Sequence, residues 1–229
     1  MLRRPALLLL FAMVVIGCAA RIDDTHSAAR SPASTHTARL ASPSQKRHTL
    51  PDAGITRATC GARGRVVTFR VSVESGLPTT PAVFGNAVRT VLCDGRSWIG
   101  SGAVRFRYDP AGSLLIGLRS PGSTEVRCLQ LVRLSVDRTY SCGTPREVVI
   151  NSARWFMGTS VWQGPLPAYR AMLVNHETGH ALGLGHRTCP APGSPAPVMM
   201  QQSKGLTTLG GHTCAPNAWP LPDEWERLS

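Results

Sequence analysis

The sequence predicts an α+β domain: a sheet formed mainly by its first half, one helix packed on that sheet, a second long helix, and an irregular C-terminal part. Three observations predict this arrangement. Arg65–Glu74 alternates and is rich in β-branched residues, which is typical of a strand. Pro81–Leu92 repeats apolar residues every four positions, as one face of a helix requires. After a helix predicted from about Pro167 to Leu182, proline and glycine dominate and little periodicity remains.

The other predicted elements lie between these two helices. A turn at Asp109–Gly112 separates two predicted strands, Val104–Tyr108 and Ser113–Leu118. Leu129–Ser135 fits either a strand or a short helix, because short apolar runs do not distinguish the two. Glu147–Asn151, with the sequence EVVIN, is a strand by composition.

The N-terminus is typical of an exported protein. Two arginines precede the apolar stretch Ala6–Ile16, which is shorter than the roughly 20 residues of a membrane-spanning helix and has the size of a signal-peptide core. Residues 15–18, VIGC, resemble the bacterial lipoprotein cleavage box, in which the cysteine is lipidated and becomes the first residue of the mature protein. An ordinary secretory signal cleaved near Ala20 is the alternative.

Three segments follow from this interpretation. Residues 1–17 are a predicted lipoprotein signal peptide. Residues 18–57 are rich in Ala, Ser, Thr, Pro and Arg without periodicity, which predicts a disordered tether. Residues 58–229 form the predicted domain. We therefore expect a domain anchored through the lipid on Cys18 to the outer face of the bacterial cytoplasmic membrane, with secretion as the alternative.

The composition permits one hydrophobic core and gives no sign of nucleic-acid binding. Hydrophobic residues make up 42% of the 229 residues, which suffices for one domain of ordinary size. The formal net charge is +12, and Lys46 and Lys204 are the only lysines. No block of basic residues and no basic run with interleaved aromatics is present, so we attribute the charge to compositional bias toward arginine.

The cysteine count agrees with export. Of seven cysteines, six remain if Cys18 carries the lipid, and an even number in an oxidising compartment suggests three disulfides. Six cysteines permit fifteen pairings. Proximity in the sequence favours Cys60 with Cys93, Cys128 with Cys142, and Cys189 with Cys214. Since no CxxC pair occurs, a cysteine zinc site is not expected.

One motif carries metal chemistry: residues 176–186 read HETGHALGLGH. His176 and His180 are four positions apart, so on a helix they lie on one face and can bind the same zinc ion. Glu177 is placed beside the metal, where it can accept a proton from zinc-bound water. Gly183 can take a positive φ and end the helix, which brings His186 to the ion. Three histidines leave the fourth zinc position open for water, as in catalytic sites.

This HExxHxxGxxH motif resembles the zinc signature of the metzincin clan of metallopeptidases. The resemblance implies a metzincin-like fold with a mixed N-terminal sheet, an active-site helix and an irregular C-terminal subdomain. It also implies a methionine in a tight turn beneath the metal. Met199, preceded by Val198, is our choice for that turn, and Met200 is the alternative.

A closer resemblance covers residues 67–219 and is carried by SVESGLP, VVINSARW, NHETGHALGLGH and APVMMQQSKGL. These segments resemble a family of exported bacterial proteins of unknown function that shares the zinc motif. This resemblance implies zinc and suggests peptidase activity, but it supplies no substrate. The family pattern includes four of the cysteines; Cys60 and Cys93 are additions to it, which favours pairing them.

The resulting expectation is hydrolysis of peptide bonds outside the cell by a monomer, with a zinc-bound water activated by Glu177. An extended substrate is expected to pair with a sheet edge. Val148–Asn151, with Arg154 and Trp155 after it, contributes to this cleft, or else forms part of the interior.

Several metzincin groups place a tyrosine just after the methionine turn, and this chain does not. Gln202 or His212 could donate a hydrogen bond to the transition state instead. Two other functions stay open: a zinc hydrolase of other amides, such as wall peptides, and a surface protein that binds zinc without turnover.

Overall fold

A five-stranded mixed sheet organises the chain in the computed structural model, which describes residues 54–228. The predicted signal peptide, the lipidation site Cys18 and most of the predicted tether lie outside the described residues. None of the helices in the described range has the length and hydropathy that a bilayer span requires.

The strands have the order β2-β1-β3-β5-β4, and all neighbours run parallel except β4, which runs antiparallel to β5. The edge strand β4 has only two residues. The strands are β1 (Arg65–Val73), β2 (Val104–Tyr108), β3 (Leu114–Arg119), β4 (Cys142–Gly143) and β5 (Glu147–Asn151).

The turn between β2 and β3 carries the chain from one side of β1 to the other. β2 pairs with the first half of β1, and β3 pairs with its second half on the opposite side. The crossing occurs at Phe69, whose carbonyl oxygen accepts a hydrogen bond from the backbone N–H of Asp109. A Cβ on Gly112 would collide with the Phe69 backbone, so a glycine is needed there. The predicted turn therefore joins two parallel strands that do not pair with each other.

Helices cover both faces of the sheet. Val148 and Ile150 of β5 belong to the main core with α1 and α4, whereas Val149 packs against Cys128 of α2 on the opposite face. The helices are α1 (Pro81–Leu92), α2 (Pro121–Val132), α3 (Ser152–Met157), α4 (Leu166–Ala181) and α5 (Pro222–Trp225), with short 3-10 turns at Trp98–Ser101 and Glu226–Leu228.

Helix α1 spans Pro81–Leu92 and confirms the helix that the sequence predicted there. The Thr80 hydroxyl caps its N-terminus by accepting a hydrogen bond from the N–H of Val83, and Pro81 occupies the first turn. Phe84, Val88 and Leu92 are fully buried, because their four-residue spacing places them on the face that meets the sheet.

Helix α2 corrects two predictions. The segment Leu129–Ser135 is not a separate element: its first residues end a helix that begins at Pro121 and is capped by Ser120. The start of this helix has no clear sequence signal because PGST contains turn-forming residues, which here serve as the cap and first turn. The sheet also carries more than the single packed helix that was expected.

The folded part begins before Ala58. Ile55, assigned from the sequence to the tether, is 3% exposed and contacts α1 at the position of Gly85. The guanidinium of Arg89 donates hydrogen bonds to the carbonyls of Thr56 and Ala58. A single apolar residue in a polar segment gives no periodicity, so the sequence could not mark it as core.

Three disulfides join the pairs that sequence proximity favours: Cys60–Cys93, Cys128–Cys142 and Cys189–Cys214. The first lies near the β2 edge, where the backbone of Cys60 forms an isolated antiparallel β-bridge with that of Phe106. The second ties α2 to the edge strand β4. The third closes part of the irregular C-terminal segment.

Glu147, at the start of β5, supplies the acid-sensitive ion pair of the sheet. Burial opposes its ionisation, but Arg127 and Arg119 outweigh that effect and lower its pKa below the usual 4.5. A lowered pKa in the folded state adds stability above pH 4.5 that is lost as the pH falls through the folded-state pKa.

We expect Glu147→Gln to reduce the free energy of unfolding at pH 7 by about 1–3 kcal/mol and to flatten the decline of that free energy in acid. Urea denaturation at pH 7 and pH 3 measures both effects. The exposed Glu226→Gln is the control, and equal acid sensitivity of the two variants would contradict the assignment.

Candidate metal site

The candidate site lies at the C-terminal end of α4. His176 and His180 are one turn apart on this helix and project from one face. His186 follows the end of the helix and returns to the same place. One ligand nitrogen from each ring lies within 4.8 Å of the other two, and Nε2 of His180 is 3.1 Å from Nε2 of His186. These three histidines could therefore hold a metal ion.

Backbone carbonyls fix the orientation of two of the rings. Nδ1 of His176 is 2.8 Å from the carbonyl oxygen of Val198, and Nδ1 of His180 is 2.9 Å from that of Leu184. A carbonyl only accepts hydrogen bonds, so each Nδ1 carries the proton and donates it. The lone pair is then on Nε2, where it is available to a metal.

The protein environment favours the neutral form of the three imidazoles, although only His176 is buried, His180 is half-buried and His186 is exposed. Desolvation lowers the pKa of His176 from 6.5 to about 3 and that of His186 to about 4, and it also lowers the pKa of His180. The positive charge of Lys204 disfavours protonation of His176 and His186 further. Because a metal binds the neutral imidazole, the site does not need to lose a proton at neutral pH.

Glu177 is buried beside these ligands. Its exposure is 5%, and burial raises its pKa from 4.5 to about 8. Within residues 54–228, its Oε2 atom has no hydrogen-bond partner. It lines a cavity of about 290 Å³ together with the three histidines. A cation bound by the histidines would stabilise the carboxylate in this position.

A sharp turn ends α4 and places the third histidine. Gly183 has a φ of 97°, in the left-handed region that favours glycine. The N–H of Leu184 donates to the carbonyl of Gly179, which closes the helix end. The Leu184 carbonyl then orients the His180 ring, so the same turn positions two ligands.

Two glycines allow other segments to come into contact with α4. A Cβ on Gly143, in the edge strand β4, would overlap the carbonyl oxygen of Glu177. A Cβ on Gly179 would overlap the sulfur of Met199 and collide with the indole of Trp98. The first contact sets the distance between the sheet edge and the helix, and the second fills the space beneath it.

Met199, rather than Met200, lies under the helix. Met199 is 1% exposed and belongs to the main core. Met200 packs in a separate cluster with Cys189 and Cys214. The preceding residue, Val198, supplies the carbonyl that orients His176, so this short segment supports the site through both its backbone and its side chain.

Glu224, which was not among the residues predicted from the sequence, holds the methionine segment in place. Its buried carboxylate accepts hydrogen bonds from the backbone N–H groups of Val198, Met199 and Leu221, each at 2.9 Å. Glu224 lies in the four-residue helix α5. Its distance from the motif along the chain leaves no local signal that could have revealed this role.

Asn175 anchors α4 from its other side. Its amide nitrogen donates to the carbonyl of Ala218, and its side-chain oxygen accepts from the Ser97 hydroxyl at 2.7 Å. The indole N–H of Trp98 donates to the Asn175 backbone carbonyl. Two separate segments, one at Ser97 and Trp98 and one at Ala218, therefore fix the helix one residue before the first histidine.

The structure does not give the roles expected from the sequence, in the cleft or as a hydrogen-bond donor, to Trp155, β5, Gln202 or His212. Trp155 is in the core against Phe84, and all five residues of β5 are buried between β3 and β4. The amide of Gln202 is occupied by the carbonyls of Pro197 and Asn217. His212 is exposed and does not line the cavity. Neither Gln202 nor His212 is therefore placed to assist catalysis.

The cavity wall contains one residue that was expected at the cleft from the sequence and others that were not. Tyr140, Lys204 and the predicted cleft residue Arg154 line it, together with apolar side chains from the segment after α2 and from α4. The edge strand β4 also borders it through Cys142 and Gly143. The sheet edge at the site is thus β4, and β5 takes the interior placement that was the alternative to a place in the cleft.

Most of the chain matches a known protein family. A family model described as "Protein of unknown function (DUF3152)" matches residues 39–222. No curated protein matches the chain. The matched region includes every residue of the candidate site except Glu224.

Gly183 and Gly185 form a matched pair for testing the turn. A Cβ added to either glycine would have no other atom within 4 Å, but only Gly183 has a positive φ. We expect Gly183→Ala to cost about 1–3 kcal/mol of stability through backbone strain and to weaken metal binding. Gly185→Ala should leave both nearly unchanged. Thermal unfolding and titration with Co²⁺ or Zn²⁺ measure the effects, and similar losses in both variants would contradict this role of the turn.

The Cys189–Cys214 disulfide closes the segment that contains Val198 and Met199. Removing a loop-closing bond of this size should cost about 3–4 kcal/mol of stability. We expect the Cys189→Ala/Cys214→Ala variant to bind metal more weakly even where it is folded, because the segment that orients His176 becomes looser. The Cys60→Ala/Cys93→Ala variant is the control at the far sheet edge. Unchanged metal affinity in the first variant would refute the link.

Proposed function

The chain belongs to the protein family of unknown function DUF3152, and from its candidate site we propose that it is a zinc metallopeptidase that hydrolyses peptide bonds outside the cell. One observation carries the proposal. Three neutral histidines converge in a cavity that also contains the buried carboxyl group of Glu177, whose Oε2 atom has no hydrogen-bond partner within residues 54–228. Metal ligands and a proton acceptor are thereby placed side by side, as metal-assisted hydrolysis requires.

The three histidines fit zinc. Zinc accepts imidazole nitrogen at about 2.0–2.1 Å with tetrahedral angles, so two ligand nitrogens are expected about 3.3 Å apart. The Nε2 atoms of His180 and His186 are 3.1 Å apart. The hydrogen bonds at Nδ1 of His176 and His180 are of the type that orients zinc ligands. Bound zinc would supply Lewis acidity, which makes water more acidic and polarises a carbonyl group.

The metzincin-like assignment is part of the proposal. The helix end at Gly183, the third ligand His186 and the buried Met199 beneath α4 support it. The mixed sheet with an antiparallel edge strand beside the cavity is consistent with it.

Glu177 moves the proton in the proposed reaction. In its ionised form it takes a proton from the attacking water and transfers it to the nitrogen of the leaving amine. Burial favours the protonated form, and its pKa of about 8 lies close to neutral pH. A cation bound by the histidines would favour the ionised form, in which the carboxylate can accept the proton of the water.

The edge strand β4 is the proposed place for an extended substrate. It borders the cavity at Cys142 and Gly143, and within the described residues its other edge has no strand neighbour. A peptide added there would form backbone hydrogen bonds that do not depend on its sequence. The contact of Gly143 with Glu177 would keep the bound peptide close to the proton acceptor.

Two other functions are weighed against peptide hydrolysis. Hydrolysis of another amide, such as that of wall peptides, uses the same chemistry and differs only in substrate. A zinc-binding protein without turnover is disfavoured by Glu177, because a buried carboxyl oxygen without a hydrogen-bond partner destabilises the fold and Glu177 is not one of the three candidate ligands.

Export is also part of the proposal. Three disulfides in the described residues are typical of proteins that fold in an oxidising compartment. The lipid anchor at Cys18 and a position on the outer membrane face rest on the N-terminal sequence alone.

The proposed function is tested on the full chain by metal analysis combined with a broad peptide-cleavage screen. We expect one zinc per chain in the wild type. His186→Ala should lose the metal, and the exposed His212→Ala should keep it. Glu177→Gln should retain the metal but lose about 10²–10⁴-fold in cleavage rate, because the proton acceptor is gone.

The outcomes separate the three functions. Metal binding with cleavage of non-peptide amides only would favour the wider hydrolase. Metal binding without cleavage of any substrate would favour a binding protein. Absence of stoichiometric metal from the wild type would refute the proposal as a whole.

A further inference from the structure

The cavity that contains the candidate metal site has an uneven distribution of charge. Besides the three neutral histidines, its ionisable lining residues of the acidic and strongly basic types are Glu177, Arg154 and Lys204. Glu177 is next to the metal ligands, so within the described residues the rest of the cavity wall carries two cations and no acidic side chain. An uncompensated pair of cations in a cavity attracts an anionic group.

Lys204 is one of these cations. It follows the methionine segment and is exposed on the cavity wall. Its ammonium nitrogen lies 5.0 Å from the centre of the Tyr140 ring. Among residues 54–228, no carboxylate forms an ion pair with it. The ring holds the ammonium group by a cation–π contact but leaves its charge uncompensated.

Arg154 is the second cation, and it belongs to α3. Its Nε donates to the carbonyl of Thr139 and its Nη1 to that of Gly158. These two bonds fix the guanidinium while leaving Nη2 without a protein hydrogen bond in the described part of the chain. The guanidinium carbon is 5.8 Å from the centre of the same Tyr140 ring. The two cations therefore both contact one aromatic ring, within a single cavity.

We propose that Lys204 and Arg154, positioned by Tyr140, form a subsite that binds a carboxylate of the substrate close to the hydrolysed bond. The inference rests on the proposed function, and it names a substrate class: peptides or related amides that carry an acidic group beside the scissile bond. Lys204 acts as a specificity-determining residue, since its ammonium can contact the bound carboxylate directly.

A carboxylate is the anionic group that an unmodified peptide offers, and it fits these two groups. A fixed guanidinium with a free N–H group provides directed hydrogen bonds, and an ammonium adds a mobile charge. The carboxylate can come from an Asp or Glu side chain or from a free C-terminus. Both sources have the same chemistry, so the experiment separates them.

The first measurement uses binding alone. The zinc-loaded full chain is titrated with two hydroxamates, those of N-acetylglutamate and of N-acetylglutamine, which differ only in the side-chain carboxylate. We expect the wild type to bind the glutamate compound about tenfold more tightly, as a charge-assisted hydrogen bond would give. Lys204→Gln should bring this ratio close to one, and Lys204→Arg should preserve it.

The control variant is Arg65→Gln, at the start of β1. It removes one positive charge from an exposed position that does not line the cavity. Its ratio of affinities should equal that of the wild type, which separates a local contact from the effect of net charge. An equal fall in the Arg65 and Lys204 variants would overturn the subsite, as would a wild-type ratio of one.

The second measurement uses cleavage and distinguishes the two carboxylate sources. One set of peptides contains Asp or Glu with an amidated C-terminus, and a second set is neutral with a free C-terminus. Preference for the first set shows a side-chain subsite, and preference for the second shows recognition of the terminus. Either preference supports the proposal if Lys204→Gln abolishes it, and no preference in the wild type refutes it.

The two measurements keep this inference apart from the proposed function. A carboxylate preference in hydroxamate binding without cleavage of any peptide would support the subsite and refute the peptidase. Cleavage that ignores acidic groups, with equal binding of both hydroxamates, would support the peptidase and refute the subsite.

Discussion

The close fit of α4 between the sheet edge and the C-terminal segment is the constraint on which the site depends. The helix carries two metal ligands and Glu177, so a small shift of its axis would misplace all three. On one side, Gly143 lets β4 touch the Glu177 backbone; on the other, Gly179 makes room for the side chain of Met199. Because neither contact leaves space for a methyl group, the helix cannot slide between its neighbours without losing packing.

The irregular C-terminal part acts as the support of this helix. It forms little regular structure, yet it supplies the carbonyl of Val198 to His176 and, through Ala218, an acceptor for the amide of Asn175. Glu224 binds three backbone N–H groups of this part, and the Cys189–Cys214 disulfide closes it. Polar contacts and a covalent bond thus replace the ladder of hydrogen bonds that a helix or strand would provide.

Burial has opposite effects on the two kinds of ionisable group in the cavity. It lowers the pKa of His176 and His186 and raises that of Glu177, because a low-dielectric environment disfavours every charged form. The result is a set of neutral nitrogen ligands next to a carboxyl group that favours its proton. A bound cation would reverse this preference at Glu177, so the same burial links metal binding to the state of the proton acceptor.

The sequence by itself determined the elements and residues whose signal is local. The strand β1 and the helix α1 followed from periodicity. The spacing of His176, Glu177, His180, Gly183 and His186 identified the candidate site, because a helix and its terminal turn fix those positions relative to one another. Sequence distance also indicated the three disulfide pairs. Only the tertiary structure decided the parallel placement of β2 and β3, the contact of Met199 with α4, the hydrogen bonds from the methionine segment to Glu224, and the presence of Tyr140 and Lys204 on the cavity wall. These features arise where segments far apart in the chain meet, and no short-range pattern encodes such a meeting.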